Sequence, residues 1–136
     1  MNQVDLLRQA EEGDAKAQNQ VGTHFDNLGM IEKAILWFRK ADAQGLIIST
    51  HNLACKLYEQ GNKKEGRLYF EKAAKLNYPA SLYYMGVIFE RENDCRSISC
   101  YRKAAQLGNE QALKALVDLR LEFMIDNIPV DHPINF

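Results

Sequence analysis

The side chains that could do chemistry are few and scattered along this sequence. The histidines and cysteines are His24, His51, His132, Cys55, Cys95 and Cys100. Only His51 and Cys55 have the i, i+4 spacing that would bring a histidine and a cysteine together on one helical turn, where both could bind a metal ion. Two ligands without a third make a weak metal site, so the favoured interpretation is a polar pair lining a groove.

Motifs of catalysis are absent from the sequence. There is no Gly-rich phosphate loop, no nucleophile elbow and no His-Glu-x-x-His helix. The carboxylates of Glu11, Glu12 and Glu32 fall on predicted exposed turns, where burial would not tune a pKa. We therefore expect no enzymatic activity, no metal and no cofactor.

Composition and charge narrow the class further. The chain has 136 residues, of which 46% are hydrophobic, enough for one domain with a packed core. A net charge of -1 and a pI of about 6.3 give no electrostatic footprint for nucleic acid or for an anionic membrane. Three cysteines without a Cys-x-x-Cys pair favour a reducing, cytoplasmic compartment. Neither a signal peptide nor a bilayer-spanning stretch is expected.

An internal repeat decides how the chain is organised. Three similar segments occupy residues 37–41, 69–73 and 100–104, and each is followed four residues later by Gly45, Asn77 or Gly108. Gly13 begins the same series, whose steps run from 13 to 45, from 45 to 77 and from 77 to 108. Gly and Asn are the residues that most often end a helix in the left-handed conformation. The repeat therefore predicts helices that stop at these positions.

The spacing of apolar residues between these stops is helical. One such face consists of Ile31, Ala34, Ile35, Phe38 and Ala41. Each repeat would contain helix A, a short turn and helix B, which predicts an all-α fold, an alpha-alpha superhelix (solenoid). It would have about three helix-turn-helix repeats, over residues 14–45, 46–77 and 78–108, plus capping helices, the last over residues 110–124. Residues 125–136 would form an extended tail packed on the last helix, or alternatively a peptide-like segment that docks into the groove of another copy or into a partner.

The pattern resembles that of the tetratricopeptide family. Its first copy consists of Val21, Gly22, Phe25, Ala34, Phe38 and Ala41. The segments 37–41 and 101–108 are even more similar to the related Sel-one-like repeat. The resemblance covers residues 3 to 123, although the first-helix Trp of the tetratricopeptide pattern is missing and the period is shorter than usual. It implies a protein-binding scaffold without enzymatic activity.

In such families the A helices line a concave face, and the resemblance implies which residues would lie there. The candidate partner-binding residues are Asn19, Thr23, His51, Cys55, Tyr58, Tyr83, Val87, Glu90, Lys114 and Asp118. Neighbouring positions on the same face are Lys16, Asp26, Ile48, Ala80, Gln111 and Leu121. Tyr58 and Tyr83 are the candidate anchors, since Tyr gives a large contact area and a polar tip at low entropic cost. The alternative is that both simply cover exposed helix surface.

The sequence thus predicts a non-enzymatic protein-protein interaction module. It would be an adaptor, a chaperone-like protein or an inhibitory binding protein, and its partner would be another protein or an extended peptide. One alternative is a helical-repeat RNA binder, which would need the basic inner face that this pI does not provide. The other is a toxin-neutralising immunity protein, which rests on small size and analogy.

Overall fold

The computed structural model describes residues 2–119 and 134–136, which form eight α-helices and no strand. The helices are α1 (Gln3–Glu11), α2 (Ala15–Asn27), α3 (Ile31–Ala43), α4 (Ile47–Glu59), α5 (Lys63–Lys75), α6 (Pro79–Arg91), α7 (Arg96–Gln106) and α8 (Glu110–Asp118). This confirms the predicted all-α class. None of these helices is long and apolar enough to cross a membrane.

The chain divides into two compact units, one ending at Lys72 and the other beginning at Ala73. In the first unit α1 packs on α2, α2 on α3 and α3 on α4; in the second, α6 packs on α7 and α7 on α8. Sequential packing of antiparallel helices is the arrangement expected for helix-turn-helix repeats.

The helix ends have the local chemistry that the sequence predicts. The side chain of Asp14 caps α2 by accepting a hydrogen bond from the main-chain N–H of Ala17 at 3.0 Å. Gly45 and Asn77, at the ends of two repeats, have φ angles of 84° and 62°. Pro79 starts α6, where a missing N–H costs nothing. The predicted left-handed residues are therefore confirmed.

Two glycines in the A helices create space for aromatic rings of the B helices. A Cβ atom on Gly22 would lie 2.6 Å from the ring of Phe38, and one on Gly86 would lie 2.6 Å from the ring of Tyr101. Both rings are about 1% exposed. The missing side chains therefore let each A helix approach its B helix with a buried ring between them.

The two ends of the chain differ in how well they are covered. At the N-terminus, Ala10 of α1 is buried whereas Val4 is 76% exposed. At the C-terminus, the ring of Phe136 stacks on that of Phe89 in α6, with centroids 6.2 Å apart. Most of the predicted tail, residues 125–133, and the end of the predicted last helix lie outside the described residues, so the packing of the tail on that helix stays a prediction.

Candidate functional site

Asn19 and Thr23 are the predicted groove residues of α2, and Asn19 contacts α4. Oδ1 of the half-buried Asn19 accepts hydrogen bonds from Ser49 Oγ at 2.8 Å and from Asn52 Nδ2 at 3.1 Å. Thr23 is exposed, and its hydroxyl donates to the main-chain oxygen of Asn19 at 3.1 Å. The contact between α2 and α4 is therefore polar at this point.

Two turns further along the same two helices, an ion pair connects α2 and α4. Lys56 Nζ lies 2.9 Å from Asp26 Oδ1 and 2.9 Å from Glu59 Oε2, and its side chain is 13% exposed. Burial acts to lower the pKa of Lys56, but the hydrogen bonds and charges of the two carboxylates outweigh burial and raise that pKa. We call Asn19, Ser49, Asn52, Asp26 and Lys56 together the α2–α4 seam.

His51 and Cys55 form a pair, but one that faces the interior of the first unit. Cys55 Sγ lies 3.5 Å from His51 Nε2, and the imidazole meets the ring of Phe70 edge-on with centroids 5.6 Å apart. His51 is only 8% exposed. Burial lowers the pKa of His51 to about 4 and raises the pKa of Cys55 to about 11. At neutral pH the pair is a neutral imidazole and a neutral thiol, which suits neither nucleophilic nor acid catalysis.

Tyr58, the candidate anchor of the first unit, is half-exposed at the end of α4. Its ring meets that of Phe70 edge-on with centroids 6.0 Å apart, and Lys63 Nζ lies 5.6 Å from its ring centroid. One face of the ring is thus held by packing. The exposed part of the ring is the part that a partner could contact.

In the second unit, three predicted groove residues surround one open hollow. Tyr83 from α6 lines it together with Gln111, Lys114, Ala115 and Asp118 from α8, and its volume is about 330 Å³. Lys114 and Asp118 are one turn apart and both exposed. The hollow therefore offers an aromatic ring, a carboxamide and charges of both signs.

Tyr83 is held in position by neighbouring rings. Its ring centroid lies 5.6 Å from that of Tyr84 and 5.9 Å from that of Tyr101. The buried Tyr101 hydroxyl donates a hydrogen bond to the carboxylate of Glu90, another predicted groove residue. Burial and this bond raise the pKa of Tyr101. Val87, which the sequence also places in the groove, is half-buried on α6, the helix that carries Tyr83.

Sequence reasoning missed Ser49, Lys56, Asn52 and Ala115. A signal for the first two existed, because contacts between successive helices of the same type recur at a separation of 30 residues. The pairs with this separation are Asn19–Ser49, Asp26–Lys56, Arg39–Tyr69 and Asp42–Lys72. Asn52 follows Ser49 by three residues on the same face. Equivalent positions of successive repeats lie 32 residues apart, whereas the contacting residues lie 30 apart. Aligning the repeats therefore identifies the equivalent of a residue in the next repeat and not the residue that it contacts.

No metal centre is visible in the described part of the chain, where His, Cys, Asp and Glu side chains do not meet in groups of three or more. The three cysteines are free thiols, with Cys100 buried, Cys55 half-buried and Cys95 exposed.

Comparison with solved structures finds, among others, two similar chains. A Sel1 repeat protein from Oxalobacter formigenes is 30% identical, with a TM-score of 0.68 and a match covering 85% of this chain and 96% of that one. A protective antigen of uropathogenic Escherichia coli strains, which displays an SLR fold, is 25% identical, with a TM-score of 0.79 and 90% of this chain covered. The chain spans 29% of the antigen's length. No family model and no curated protein matches the chain.

Proposed function

Because this chain belongs to the Sel1 repeat family, we propose that it is a non-enzymatic protein-interaction module that holds an extended peptide segment of its partner. In this proposal it acts as an adaptor, a chaperone-like protein or an inhibitory binding protein. The observation that carries the proposal is the hollow of the second unit. Its lining combines Tyr83 with Lys114 and Asp118, three residues that the family resemblance selects from the sequence.

The chemistry of the hollow suits a polypeptide ligand. Interface energy concentrates in large aromatic side chains held in a fixed geometry, and the ring of Tyr83 is held by Tyr84 and Tyr101. Charges of both signs on α8, Lys114 and Asp118, would select the position of charged side chains in the ligand rather than attract polyanions. An extended peptide with an apolar or aromatic residue flanked by charged ones fits this lining.

The proposal assigns no catalytic role to the pair of His51 and Cys55. Burial keeps His51 neutral and Cys55 protonated at neutral pH. A protonated thiol beside a neutral imidazole is a poor nucleophile. We also propose a cytoplasmic location, since Cys55, Cys95 and Cys100 are all free thiols, as a reducing compartment keeps them.

The experiment selects ligands and then removes the anchor. A display library of random linear peptides is enriched on the immobilised full chain, and enriched peptides are titrated by fluorescence anisotropy. We expect Tyr83→Ala and Lys114→Ala to weaken binding, the former by at least about tenfold, as loss of a central aromatic does. Gln106→Ala and Lys103→Ala, on α7 of the same unit, are the controls.

The proposal predicts that the controls bind like the unaltered chain. Enriched peptides whose affinity is the same for Tyr83→Ala would refute the role of the hollow. A library that yields no enriched peptide would refute the peptide-binding function itself.

A further inference from the structure

The α2–α4 seam contains two carboxamides whose orientation is fixed by the fold. Oδ1 of Asn19 accepts from Ser49 Oγ and from Asn52 Nδ2, at 2.8 Å and 3.1 Å. Ser49 is fully buried, so its hydroxyl anchors the pair to α4. Two hydrogen bonds to one oxygen set the plane of the Asn19 amide and turn its nitrogen away from α4.

The remaining polar atoms of this pair are one donor and one acceptor. Within residues 2–119 and 134–136, neither Asn19 Nδ2 nor Asn52 Oδ1 has a hydrogen-bond partner, and neither is enclosed in the protein. Both side chains are half-buried, which limits their movement. A donor beside an acceptor is the complement of a peptide group, which presents a carbonyl oxygen and an N–H.

We infer that the α2–α4 seam binds the main chain of an extended peptide, with Asn19 Nδ2 donating to a carbonyl oxygen and Asn52 Oδ1 accepting from an N–H. This inference rests on the proposed function, because it takes a peptide as the ligand. It adds that part of the recognition is independent of the peptide's sequence.

The charges nearby argue against other ligands. The cation of the seam, Lys56, is already bound by Asp26 and Glu59, so an anion would find no free charge there. A metal cation would need several oxygen ligands, and the pair offers a single acceptor. The neutral amide of a main chain matches both atoms and leaves neither unsatisfied.

The test uses peptides enriched from the random linear library on the full chain, several of unrelated sequence. Asn19→Asp is the informative variant, because it keeps an oxygen for Ser49 and Asn52 while replacing the outward donor by an acceptor. We expect it to weaken binding of every peptide to a similar degree, by about tenfold. Asn27→Asp makes the same charge change at an exposed position of α2 and should leave affinity unchanged.

A second arm alters the peptide main chain and then combines that change with one variant of the protein. Each enriched peptide is N-methylated at one main-chain amide after another, which removes one N–H at a time. N-methylation at one position should weaken binding to the unaltered chain by about tenfold. The same N-methylation should have no further effect on binding to Asn52→Ala, as a double-mutant cycle requires for two groups that interact.

The outcomes separate the two ideas. Peptides that lose affinity with Tyr83→Ala but bind Asn19→Asp normally, with no N-methyl position dependent on Asn52, overturn the inference and leave the proposed function standing. A sequence-independent loss with Asn19→Asp and one Asn52-dependent amide support it. Failure to enrich any peptide overturns both.

Discussion

Burial of His51 makes the stability of the protein depend on pH. The imidazole is 8% exposed, packs edge-on against Phe70 and lies 3.5 Å from the thiol of Cys55. Its pKa falls to about 4 in the folded chain, against 6.5 for a solvated histidine. The unfolded chain therefore binds a proton between these values that the folded chain does not.

The magnitude follows from linkage. Stability from this group is fully present above pH 6.5 and is lost progressively as the pH falls toward 4, because protonation then favours the unfolded chain. For the two pKa values, the free energy of unfolding should drop by about 2 kcal/mol between pH 7.5 and 5, apart from the titration of other groups.

The assay is urea unfolding followed by circular dichroism at several pH values, for the unaltered chain and for His51→Gln. The variant should be less stable than the unaltered chain at neutral pH. On acidification from pH 7.5 to 5, its free energy of unfolding should fall by about 2 kcal/mol less than that of the unaltered chain. His24→Gln, which removes an exposed histidine of α2, should retain the full pH dependence. Parallel curves for His51→Gln and the unaltered chain would refute the burial argument.

Three further changes test the packing by urea unfolding. Gly86→Ala should lower stability by about 1 to 3 kcal/mol, because the ring of Tyr101 would have to move; a gain, as an unhindered helical alanine gives, would contradict this. Thr50→Val removes the 2.5 Å hydrogen bond to the buried Asp42 and should cost about 1 to 2 kcal/mol, whereas no loss would mean that water replaces it. Phe136→Ala should cost about 1 kcal/mol through the lost stacked ring, and an unchanged midpoint would show that the ring contributes nothing.

The sequence predicts the helices well because their ends are marked by backbone chemistry. Gly45 and Asn77 adopt positive φ, and Asp14 and Pro79 stand at helix starts. These signals depend only on residues close to each helix end, so they can be identified from a single sequence. The helix-turn-helix order follows from them together with apolar spacing.

The candidate site is predicted in part, because side-chain direction depends on neighbouring helices. Asn19, Lys114 and Asp118 reach surfaces where a partner could touch them, whereas His51 turns toward Phe70 in α5. Helical periodicity identifies which residues share a face of a helix, but not which of those residues contact the next helix. Whether any of these residues binds a partner stays a prediction.

The polar contacts of the first unit also make its repeats non-interchangeable. The acceptors Asp26 and Asp42 belong to the first repeat, and the donors Lys56 and Lys72 belong to the second. Positions 32 residues after the two acceptors hold Tyr58 and Ala74, neither of which is a carboxylate. Shuffling that replaced the first repeat by a copy of the second would therefore remove the carboxylate that each lysine reaches in the preceding repeat, although Lys56 would keep Glu59 of its own helix. The ion pairs between the two repeats thus depend on the order in which the repeats follow one another.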